Sequence, residues 1–227
     1  MNYLSDLLAL LKKPWPDNRA VNIVCHGHSV PAGYFKTPKV DTMNSYPHLL
    51  HARLADRFPC AVINVIVTAI GGETSESGAA RFDRDVLTHQ PDVLTIDYGL
   101  NDRRLGLEKA RASWVGMIEK ARSRQIKVIL LTPTGDMGSR LEDTNDPLNR
   151  HAELIRSLAE HYGVGLADSL AAFKGCLREG GQLRDLMSQD NHPNRQGHDL
   201  VVKELLEWFP ADGPSTPPAE AGSTRAA

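Results

Sequence analysis

Three cysteines in 227 residues, Cys25, Cys60 and Cys176, are odd in number and widely spaced, so they predict reduced thiols in or near the core rather than a disulfide framework. Basic clusters are also missing. The 26 lysines and arginines are dispersed among 28 acidic residues for a net charge of −2, which offers no patch to nucleic acid or to an anionic membrane. No apolar run approaches the ~20 residues that a bilayer span requires. The amino-terminal MNYLSDLLALLKKPWPDNR puts its leucines before its lysines and has neither a basic n-region nor a small-residue cleavage site. It reads as a mature helix, and a cytoplasmic location is the default expectation. Internal repeats, G-x-G-x-x-G and Walker sequences are absent, so nothing marks a nucleotide-binding module. What remains, with 41% hydrophobic and 24% charged residues, is a globular chain long enough for one domain with a sizeable core.

Strand and helix patterns alternate along that chain. Leu4, Leu7, Leu8 and Leu11 recur at helical spacing until Pro14 and Pro16 stop them. Val21 to Cys25 is the first run of strand formers. Ser45 can cap a helix from Tyr46 to about Arg57, with Leu49, Leu50, Leu54 and Phe58 as its buried stripe. Ala61 to Val67 is almost continuously β-branched, which predicts a strand covered on both faces. A helix from Thr74 or Ser75 to about Thr88 and a third strand, Val93 to Tyr98, follow. Gly106 to Gln125 then puts Leu107, Ala110, Trp114, Met117, Ile118 and Ala121 on one helical face. Lys127 to Leu131 is a fourth strand, Leu148 to Tyr162 an amphipathic helix and Val164 to Ala167 a short fifth strand. Val201, Val202, Leu205, Leu206 and Phe209 place the last helix on the sheet. Such alternation calls for an α/β domain, a parallel sheet with helices on both faces. The domain is predicted over 1–209, with 1–20 as amino-terminal helix and lead-in. Residues 210–227, rich in Pro, Gly, Ser and Ala, lack the apolar area to order themselves and predict a disordered tail.

The stretch VNIVCHGHSVPAG, Val21 to Gly33, delivers Ser29 to the carboxyl end of the first strand, the edge where open α/β sheets bind ligands. Alone, that serine is as readily a cap for the next segment. Three further blocks fall on the same edge: Gly71-Gly72-Glu73-Thr74-Ser75 after the second run, Gly99-Leu100-Asn101-Asp102 after the third, and Asp190-Asn191-His192-Pro193-Asn194 before the last helix. Serine, glycine, asparagine and histidine in this order resemble the SGNH hydrolases, the GDSL family of esterases and lipases, across roughly Val21 to Phe209. The resemblance implies a three-layer α/β/α sandwich of flavodoxin-like type with a five-stranded parallel sheet. It further implies a serine esterase with no cofactor and a small-molecule ester as partner. Because members of the family are often exported, export stays open beside the cytoplasmic default.

A serine hydroxyl attacks only when a base takes its proton, and the resemblance assigns that role to His192. The imidazole in turn needs an acceptor on its other nitrogen. Here the chain departs from the family pattern, because the position three before His192 holds Gln189, while Asp190 stands two before it. Asp190 is the first choice as orienting group, with a backbone carbonyl or Asp185 as alternatives. By resemblance the oxyanion donors are the backbone N–H of Ser29, the backbone N–H of Gly72 and the side-chain amide of Asn101. Gly72 has a physical rationale too, since without a Cβ its backbone can approach a substrate. Asp102 is expected to order its own loop. His28 occupies the aspartate position of the family's GDS block and, as a neighbour on an extended or turned segment, should point away from Ser29 as a structural or substrate-facing residue.

Metal ligation by His26, His28, Asp190 and His192 is a minor alternative. A G-x-S-x-G elbow is disfavoured, because Pro31 stands where its second glycine belongs. The loops Pro31 to Asn44 and Pro133 to Pro147 should shape the pocket, and no apolar lid segment suggests a long-chain lipase. A small acyl group, acetyl on a carbohydrate, is preferred. Thioesterase or arylesterase activity within the family competes with it, as does a non-catalytic carbohydrate-binding or scaffold protein on the same fold.

Overall fold

The computed structural model describes residues 3–210, so the tail expected over 210–227 lies, beyond its first residue, outside the described residues. Five strands, β1 (Ala20–Gly27), β2 (Val62–Val67), β3 (Val93–Asp97), β4 (Lys127–Leu131) and β5 (Gly165–Ala167), form one parallel sheet in the order β2-β1-β3-β4-β5. The α-helices among the described residues are α1 (Ser5–Leu11), α2 (Ser29–Ala32), α3 (Tyr46–Arg57), α4 (Ser75–Ala80), α5 (Phe82–Asp85), α6 (Leu107–Ser123), α7 (Pro147–Tyr162), α8 (Ser169–Arg178) and α9 (Arg195–Leu206).

Side chains alternate across a strand, and β3 and β4, like β1, feed two separate cores. Val93, Ile129 and Leu131 pack with the leucines of α1 and with α3, α8 and α9 on one face. Leu94, Ile96, Val128 and Leu130 pack with Trp114, Met117 and Ile118 of α6 and with Ile155 and Leu158 of α7 on the other. That is why β3 is buried throughout and reads as an unbroken apolar run. The result is the expected three-layer α/β/α arrangement, and no helix among the described residues is long and apolar enough to cross a membrane.

Several local expectations are corrected. β2 is an edge strand rather than one covered on both faces along its length: α3 packs on it and Ile63 is buried, whereas Val62 is 52% exposed and Asn64 is exposed too, and only Ile66 reaches the opposite core. Ser45 does not cap α3; its hydroxyl donates to Thr42 O at 2.6 Å. The helix expected from Thr74 or Ser75 to about Thr88 breaks into α4, α5 and a 3₁₀ turn at Leu87–His89. Arg81, at the break, is drawn to Glu73 and Asp85. Cys60 is exposed rather than near the core, whereas Cys25 is buried and Cys176 partly so, all as free thiols. The segment after β5 contains α8, which the pattern reading passed over. Asp168 caps it by accepting the Ala171 N–H at 3.1 Å, and Leu170 and Phe173 bury it. His192 and Pro193 form β7, antiparallel to β6 (Met187–Gln189), a two-stranded hairpin that presents the histidine.

The strand ends place the site. Gly27 pairs with Asp97 at the carboxyl edge of β1 and β3. An added Cβ there would lie 2.5 Å from Asp97 O and 2.7 Å from Pro31 Cγ. Only glycine lets the turn that carries Ser29 pack this closely on the neighbouring strand.

Candidate active site

Ser29 is the first residue of α2, a single turn that leaves β1 directly, and it is buried to 7% exposure. His28 holds that turn. Its Nδ1 accepts the Val30 N–H at 3.2 Å, so its proton sits on Nε2, which faces Asp97 Oδ1 at 3.4 Å. His28 is almost fully buried and thus a structural cap, one of the two roles expected for it, but it does not point away from Ser29: its Nδ1 lies 3.5 Å from Ser29 Oγ.

The hairpin of β6 and β7 brings His192 over the serine, with Nε2 2.9 Å from Ser29 Oγ. Nδ1 lies 3.1 Å from the main-chain oxygen of Phe35. A carbonyl can only accept, so Nδ1 carries the proton and Nε2 is left as the lone pair facing the hydroxyl. The carbonyl is held from two sides. The Phe35 ring is buried 5.1 Å, centroid to centroid, from His198 of α9, and two residues on Thr37 N–H donates to Gln189 Oε1 at 2.8 Å. Burial pushes the His192 pKa down; the bond to Phe35 opposes this, and nearby His28 adds to it.

Opposite the histidine, Gly72 adopts φ +81° with open space where a Cβ would stand. The loop around it is clamped by side chains. Asn101 Nδ2 donates to Glu73 O at 2.9 Å, leaving its second amide hydrogen free, and Arg104 Nη2 donates to Gly72 O at 2.8 Å. Arg81 grips the Glu73 carboxylate at 2.6 Å and reaches Tyr98 Oη at 3.3 Å. Asp102, expected to order its own loop, crosses to its neighbour instead: Oδ1 accepts Ser75 N–H at 2.8 Å and Oδ2 accepts Trp114 Nε1–H at 2.7 Å. Ser29, Gly71, Gly72, Asn101 and His192 thus line one open cavity of about 410 Å³, together with Tyr34, Thr37, Arg104, Gln189 and Asn191.

With this geometry, the family model for the GDSL-like lipase/acylhydrolase family matches residues 25–200, which takes in all four blocks. The chain belongs to the GDSL-like lipase/acylhydrolase family. Esterase TesA of Pseudomonas aeruginosa is 30% identical over 159 residues, 68% of this chain and 72% of that one. An acetylxylan esterase of Geobacillus stearothermophilus is 22% identical over 169 residues, 66% of this chain and 76% of that one. The solved structure of the Geobacillus enzyme shares the fold with a TM-score of 0.71 at 20% identity, covering 83% of this chain and 94% of that chain. A two-domain esterase active on acetylated mannans superposes with a TM-score of 0.74 at 22% identity over 98% of this chain and 58% of its own. This GDSL-like hydrolase acts on ester bonds.

The departures from the family pattern can now be located. Asp190 is not brought to His192. Its carboxylate is exposed and bonds to no described residue, while its main-chain oxygen accepts Met137 N–H at 2.8 Å. Asp185 is exposed as well, and of the alternatives the backbone carbonyl is the one in place. Gln189, in the position of the family aspartate, reaches the loop that carries Phe35 rather than the ring itself. Its placement was visible in the sequence as the residue three before the histidine; the Phe35 carbonyl had no side-chain signal to find. Among the described residues no group of three or more His, Cys, Asp or Glu residues is arranged to hold a metal ion. His26 is spent on Thr68 Oγ1, the Gly78 carbonyl and Tyr98 Oη, and burial followed by the Arg81 charge pushes its pKa down to about 4.

Proposed function

We propose that this hydrolase cleaves small acyl esters of polar alcohols, acetyl on a carbohydrate being the preferred case, through an acyl-enzyme on Ser29. The observation that carries the reading is the continuous chain Ser29 Oγ, His192 ring, Phe35 carbonyl at the edge of a solvent-open cavity. Oγ attacks the ester carbonyl carbon as its proton passes to His192 Nε2. The carbonyl oxygen becomes an oxyanion, for which the N–H groups of Ser29 and Gly72 and the free Asn101 amide hydrogen are the donors. The imidazolium then protonates the departing alkoxide. Water repeats the sequence on the acyl-enzyme and releases the acid. In this reading Phe35 O takes the orienting role first assigned to Asp190.

The cavity supports the substrate class. No aliphatic side chain lines it, whereas Thr37, Gln189, Asn101 and Asn191 supply donors and acceptors suited to sugar hydroxyls. The acetylated polysaccharides named for two similar esterases agree with that chemistry. A series of p-nitrophenyl esters tests it: the highest kcat/KM should fall at acetate and decline beyond butyrate, and acetylated xylo-oligosaccharides should be deacetylated. A fluorophosphonate should label wild-type protein and not Ser29→Ala. Absence of wild-type labelling, or a maximum at long acyl chains, overturns the proposal.

A further inference from the structure

Two adjacent arginines follow the oxyanion asparagine, and the structure uses them differently. Arg103 is engaged through all three nitrogens: Nε donates to Leu100 O, Nη1 to Ser139 Oγ, and Nη2 to the Asp136 carboxylate that offsets its charge. Arg104 donates only through Nη2, to Gly72 O, and meets no carboxylate among the described residues. Four of its five N–H groups remain available.

Its position gives that charge a use. Beside the cavity at Ser29 lies a second one of about 440 Å³, lined in part by Gly138, Ser139 and Asp146 of the loop before α7. Both cavities are bordered by Asn101, Arg104 and Asn191, so they form one groove with Arg104 at the junction. No carboxylate lines the cavity at Ser29. The single one lining the second, Asp146, has an oxygen on each of two main-chain donors, Arg140 N–H at 2.8 Å and Leu148 N–H at 2.9 Å. An ester bound at Ser29 with its alcohol part running along the groove therefore meets one uncompensated, permanently charged group. A guanidinium fork suits a planar carboxylate or a phosphate.

Resting on the esterase reading, we propose that Arg104 is a specificity residue and that the substrate is an acyl ester whose alcohol part bears an anionic group, a sugar acid or a sugar phosphate. The bond from Arg104 to Gly72 O ties the same side chain to the oxyanion loop, so the anion would be read next to the reacting carbonyl.

The test compares three mono-O-acetylated probes acylated at the same hydroxyl: methyl glucuronide, glucose 6-phosphate and the neutral methyl glucoside. Wild-type kcat/KM should favour an anionic probe over the neutral one by about 10-fold or more, and 0.5 M NaCl should shrink the preference. Preference for the glucuronide alone identifies a sugar acid, and for the phosphate alone a sugar phosphate. In Arg104→Gln, turnover of all three falls as Gly72 loosens, but the ratio between charged and neutral probes should collapse to about one; a merely structural arginine would leave the ratio unchanged. Independently of any variant, unacetylated methyl glucuronide or glucose 6-phosphate should inhibit wild-type cleavage of p-nitrophenyl acetate more strongly than methyl glucoside. Equal turnover and equal inhibition, with p-nitrophenyl acetate still cleaved, overturn the role of Arg104 and leave the esterase intact. Failure to cleave any ester overturns the esterase reading itself.

Discussion

A carbonyl oxygen can fix an imidazole in its productive tautomer, but it brings no full charge to the imidazolium that forms when the serine gives up its proton. His192, buried and beside His28, therefore titrates below the ordinary histidine value. If His192 is the base it works only when neutral, so the acid limb of kcat/KM should lie below ~6.5 and activity should extend into mildly acidic buffer. A limb at or above that value would show a carboxylate on the ring. The same geometry ranks two neighbours. Asp190→Asn changes an exposed carboxylate with no described partner, so kcat should stay within about twofold and the limb should not move. Gln189→Ala removes the acceptor of Thr37 N–H and loosens the Phe35 carbonyl, and a lost hydrogen bond of about 1 kcal/mol predicts roughly a fivefold fall in kcat. The reverse ranking in steady-state kinetics would restore Asp190 as the orienting group.

Among the elements, the loop after β2 is stiffened from outside itself. α4 has no side-chain cap of its own; Asp102, from the loop after β3, accepts its first N–H together with the Trp114 indole. Asp102→Ala would leave two buried donors unpaired at about 1–3 kcal/mol each, so Tm should fall by roughly 4–24 °C. Asp102→Asn, which keeps one acceptor, should fall less. Calorimetry on the two variants checks the order, and equal melting would remove Asp102 from this role. This cross-strand support explains what the sequence could and could not reveal. Lys127–Leu131 and Tyr46–Arg57 were legible to the residue because packing alone dictates their period. The helix expected from Thr74 was not, because Arg81 leaves the helical path to bind Glu73, a contact with no periodic signature. β2 misled for another reason: a β-branched run records a preference for pleated packing and carries no count of how many faces are covered.

At the scale of the molecule, both cores enclose an imidazole that must stay neutral. His26 is pushed down to about 4 by burial and Arg81, and His198, under Phe35, to about 3 by burial and His192. Above ~6.5 neither the folded nor the unfolded chain binds these protons. Below that value the unfolded chain takes them up first, so stability falls with pH down to the folded values. From pH 6.5 to 4.5 the two sites together cost up to about 5 kcal/mol. Urea midpoints should fall across that interval, and His198→Gln should flatten the dependence by about half; an unchanged slope would show that His198 is solvated or already charged. Of the site as a whole, Ser29 and His192 were legible because their side chains stand in recognisable blocks that the fold brings together, whereas the support given by Gln189, Arg81 and Arg104 exists only once distant loops are folded together.

No codon specifies the acceptor behind His192, because it is a main-chain oxygen. An alanine scan would score Phe35 for its buried ring and miss its carbonyl. What is inherited is the backbone path between Gly33 and Asp41, where Asp41 N–H closes the loop on Gly33 O at 2.8 Å. If Phe35 O orients His192, a one-residue insertion or deletion there should cost activity even where it leaves every side chain of the site in place. A search for the third partner by residue identity would have no column to align.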